Sequence, residues 1–72
     1  MTQDQAISVF RLARDGYTDY SRKVDTGEYA GIGKHDKFSA LVALSSHLGA
    51  RFPEAEADGY FHVHIPRYST TP

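Results

Sequence analysis

A chain of 72 residues has room for one small domain, and folding at that size buries only about 60% of the unfolded surface, so the core is marginal. Hydrophobic residues at 40% and charged residues at 24% are the proportions of an ordinary folded chain and speak against a disordered or fibrous one. A formal charge of −1 disfavours generic nucleic-acid binding, the absence of cysteine rules out disulfides and thiolate metal sites, and no apolar run approaches the roughly 20 residues of a membrane span. The opening Met1, Thr2, Gln3 and Asp4 lack the basic-then-apolar order of an export signal, so a cytoplasmic location is expected.

The first element is a helix over about 3–23. Thr2 can cap it while Gln5 reaches back in a capping box, and Ala6, Phe10, Ala13, Tyr17, Tyr20 and Val24 recur in steps of four and three along one stripe. Gly16 costs such a helix about 1 kcal/mol, and Asp15-Gly16 is the alternative stopping point. Asp19 and Lys23, four apart in the favourable order, support the longer helix.

Residues 25–34 are rich in turn formers, with Gly27, Gly31 and Gly33 around a short run at 28–32 that reads as a loop or a weak strand. A second helix over about 36–48 follows, with Asp36 as its cap, Phe38, Leu41, Val42, Leu44 and Leu48 as its apolar residues, and Gly49 then Pro53 as its stop. From Pro53 to Gly59 the chain is acidic and reads as a solvated connection with at most one helical turn. Residues 60–65 alternate with period two, Phe61, Val63 and Ile65 on one side and Tyr60, His62 and His64 on the other, which predicts a C-terminal strand ended by Pro66. The expected fold is therefore α+β, a single domain over 1–66 with a frayed tail at 67–72. A lone strand needs a partner, and only the weak strand at 28–32, a second copy of the chain or a strand from another protein could supply one.

None of the candidate chemistries is complete. His62 and His64 share a strand face at a spacing of about 7 Å that suits a metal, but a site would need His35 or His47 as a third ligand, and nothing in the pattern brings either there. Gly31-Ile32-Gly33-Lys34 ahead of a helix resembles a phosphate cradle without the spacing of a nucleotide-binding loop, and an ordinary glycine-rich connection accounts for it. Arg11, Arg14 and Arg22 align on helix one, but Asp15 and Asp19 beside them make a mixed, solvated face. No serine or carboxylate lies in a recognisable catalytic arrangement, so neither catalytic residues nor a cofactor is expected.

Five tyrosines in so short a chain are the unusual feature. Tyr17 and Tyr20 belong to the core stripe of helix one, which leaves Tyr29, Tyr60 and Tyr68 free for contact. The expected binding residues are Tyr29, Tyr60, His62 and His64. The expected role is that of a small non-catalytic protein-binding module, a homodimer or a subunit docked on a larger complex. Accessory subunits and the small inhibitors made by phages and mobile elements are of this type. The alternative is a histidine-based metal or small-ligand binder.

Overall fold

The computed structural model describes residues 1–63. Its elements are α1 (Gln3–Asp25), α2 (Lys34–Arg51) and a short α3 (Pro53–Ala57). No strand occurs among the described residues, which corrects the α+β expectation to an all-helical fold.

Local signals define α1 at both ends. Gln5 donates its backbone N–H to the Thr2 hydroxyl at 3.1 Å, and Thr2 donates its own to the Gln5 side-chain carbonyl at 2.8 Å, completing the capping box. The helix passes through Gly16, because Tyr17 and Tyr20 beyond it pack on α2 and its loop and outweigh the glycine's cost. It stops at Gly27, whose φ of +82° lets the N–H groups of Glu28 and Gly27 reach back to Lys23 O at 2.9 Å and Val24 O at 3.0 Å, a Schellman ending.

Of the two readings of 28–32, a loop or a weak strand, the structure has the loop. Its amides at Glu28 and Tyr29 are both spent on Lys23 O, and the Tyr20 hydroxyl donates to Ile32 O at 3.1 Å, so no ladder can form. Gly31 lies so close to Val24 that an added Cβ would stand 3.0 Å from its Cγ1, which holds the loop against the end of α1. The chain then re-enters helix at Lys34, two residues ahead of the expected start, so that Asp36 sits inside the first turn rather than capping it.

α2 runs on through Gly49 to Arg51. The bare Cα of Gly49 faces the Glu56 side chain of α3, and a Cβ there would come within 3.1 Å of the Glu56 carboxyl carbon. Phe52 breaks the helix and Pro53, at the first position of α3, starts the next. The acidic connection is thus a helical turn that contributes the fully buried Ala55 to the core.

Residues 60–63 do alternate, with Phe61 buried and Val63 half-buried while Tyr60 and His62 are exposed, but they wrap the helices without pairing. Gly59, at φ +84°, turns the chain after α3, and the Tyr60 N–H returns to Ala55 O at 3.1 Å. Side chains serve the segment's carbonyls: the Ser45 hydroxyl donates to Phe61 O and the Arg14 guanidinium to His62 O at 3.3 Å. Tyr60 and Phe61 lie in a turn closed by the His62 N–H on Gly59 O at 3.2 Å, so period-two burial over four residues could not establish a strand. Residues 64 and 65 of the expected strand, and the expected tail at 67–72, lie outside the described residues.

α1 and α2 form an antiparallel hairpin, with Tyr17 against Phe38 (ring centroids 5.5 Å apart) near the loop. The core comprises Ala6, Phe10, Leu41, Leu48, Ala55 and Phe61, with Phe10 and Phe61 edge to face at 5.7 Å.

Candidate partner-binding surface

Tyr29 stands at the loop end of the hairpin, 46% exposed. Its ring tilts against Tyr20 at 5.7 Å, Lys23 Nζ lies over it at 5.5 Å, and Lys37 Nζ lies over Tyr20 at 5.4 Å. The Lys23 pKa is raised above its ordinary value, first by its hydrogen bond to the Asp19 carboxylate, then by the charge of Asp19 and more weakly by Tyr29 and Glu28. The sequence implied no contact between Tyr29 and α1; a glycine-bracketed loop that folds back onto its helix supplies it.

Tyr60 and His62 are exposed on the closing segment, with His62 held beside Arg14 through its carbonyl. They form a different place from Tyr29. Two of the expected binding residues, Tyr60 and His62, are neighbours; Tyr29 is apart from them, and His64 lies outside the described residues. His35 and His47 both sit on α2, twelve positions and so about 18 Å of helix apart, and among the described residues no three histidine or carboxylate side chains gather where a metal could sit.

Two grooves run along the hairpin. One, of about 560 Å³, is mixed: Arg14, Thr18, Ser21, Arg22, Asp25 and Lys34 surround Tyr17, Phe38, Leu41 and Val63. Its cations are already engaged, Lys34 with Asp25 at 3.6 Å, Arg22 with Asp19 at 4.0 Å and Arg14 with the His62 carbonyl. The arginine row of α1 and the lysine of the glycine loop therefore meet here as a mixed, solvated face, and Arg11 is not part of it.

The other groove, of about 440 Å³, is apolar. Ala13, Gly16, Tyr17 and Tyr20 of α1 and Lys37, Ala40, Leu41 and Leu44 of α2 line it. Small residues open it, since even a Cβ added to Gly16 would touch nothing within 4 Å. Along α1 the same face continues to Val9 and Leu12, which are 42% and 74% exposed. Sequence reasoning missed this surface by tracing only the dominant stripe. The signal was available in Val9, Leu12 and Gly16, spaced three and four apart on the stripe's flank.

Among the described residues, fold and surface define a helical hairpin with an apolar face that α3 and residues 60–63 leave uncovered. Comparison with protein families, with characterised proteins and with solved structures gives no match. No helix among the described residues is long and apolar enough to cross a membrane.

Proposed function

We propose that this chain is a small, non-catalytic protein-binding module of the cytoplasm, an accessory subunit or inhibitor of a larger protein, and that it binds through the apolar face of α1 and α2. The observation that carries the reading is the contiguity of that face: Val9 and Leu12 lead into a groove floored by Ala13, Gly16 and Ala40. Single exposed apolar side chains are normal, whereas a connected row beside an open groove is the form in which an amphipathic helix is received. Tyr20 closes the groove and stacks on Tyr29, so Tyr29 extends the face. Tyr60 and His62 form a second exposed edge that ranks behind it.

The test is capture of partners on the immobilised full chain, repeated with Leu12→Asp and with Tyr60→Ala/His62→Ala. Burying a carboxylate in place of a leucine anchor should weaken partner binding at least about tenfold, with the helical circular dichroism unchanged because position 12 is exposed. The double variant should bind as the parent does. The reverse result would move the site to the closing segment, and capture insensitive to both would remove the reading.

A further inference from the structure

We draw no further inference here: the strongest candidate, the apolar groove that Ala13, Gly16, Tyr20, Ala40 and Leu44 line between α1 and α2, belongs to the surface already described, and nothing in the structure shows what covers it.

Discussion

α1 and the segment from Phe52 to Val63 both bury apolar residues in the core, yet they are held by different means. α1 satisfies its own backbone: a capping box opens it, a glycine closes it, and its ladder lies within twenty-three consecutive residues. Beyond α3 the closing segment borrows instead, its carbonyls taking donors from Ser45 and Arg14 and its one fully buried side chain, Phe61, packing on Phe10 of α1. Burial pattern records which side of a segment faces inward. Secondary structure depends in addition on where the hydrogen bonds go, and a segment served by distant side chains carries no local mark of that.

The comparison breaks most readily at Phe61. It is fully buried against Phe10 and is the chief apolar anchor of the closing segment, so Phe61→Ala should cost about 3–5 kcal/mol. For a core of six buried residues that is a large part of the whole stability. Chemical denaturation measures it. A loss below about 0.5 kcal/mol, the range of a surface site, would show that the helices hold without the segment.

The same distinction explains what could be read from residues alone. The stripe from Ala6 to Val24, the Thr2–Gln5 cap and the inward side of Phe61 and Val63 are legible because each is a short-range pattern. Gly49 read as a stop because glycine commonly ends helices; here it sits inside the last turn of α2 where Glu56 approaches, a fact of tertiary packing. The run at 28–32 read as either a loop or a weak strand because its amides could not be assigned to Lys23 without knowing where the loop turns. Of the candidate site, exposed Tyr29, Tyr60 and His62 were visible, but their separation was not. The groove needs two helices side by side, so only its α1 half had a signature.

Gly16 sharpens the comparison from the α1 side, because the helix tolerates it rather than requires it. Its backbone is helical and nothing stands within 4 Å of an added Cβ, so Gly16→Ala should stabilise the fold by about 0.5–1 kcal/mol. The methyl group would also narrow the floor of the apolar groove and should weaken association through it. Denaturation and partner capture on one preparation read both effects. A variant that gains stability and associates as before would place the contact away from Gly16.

The smallest effect lies at the C-terminal end of α1, where the local ending meets the loop. Lys23 Nζ pairs with Asp19 at 3.2 Å and lies over Tyr29, and its pKa is raised chiefly by the Asp19 hydrogen bond and charge. A raised pKa in the folded state means that the contribution is fully present below the unfolded lysine value of about 10.4 and is lost as pH climbs through the folded value. Other lysines and tyrosines also titrate there, so the measurement is the difference in melting temperature between the parent and Asp19→Asn. Because Lys23 is half-exposed, that gap should be small at pH 9, shrink further in high salt, and close as pH climbs through the raised lysine pKa. A gap that persists at alkaline pH would assign the role of Asp19 to its weaker contact with Arg22, which keeps its charge throughout, and would remove Lys23 from the ending of α1.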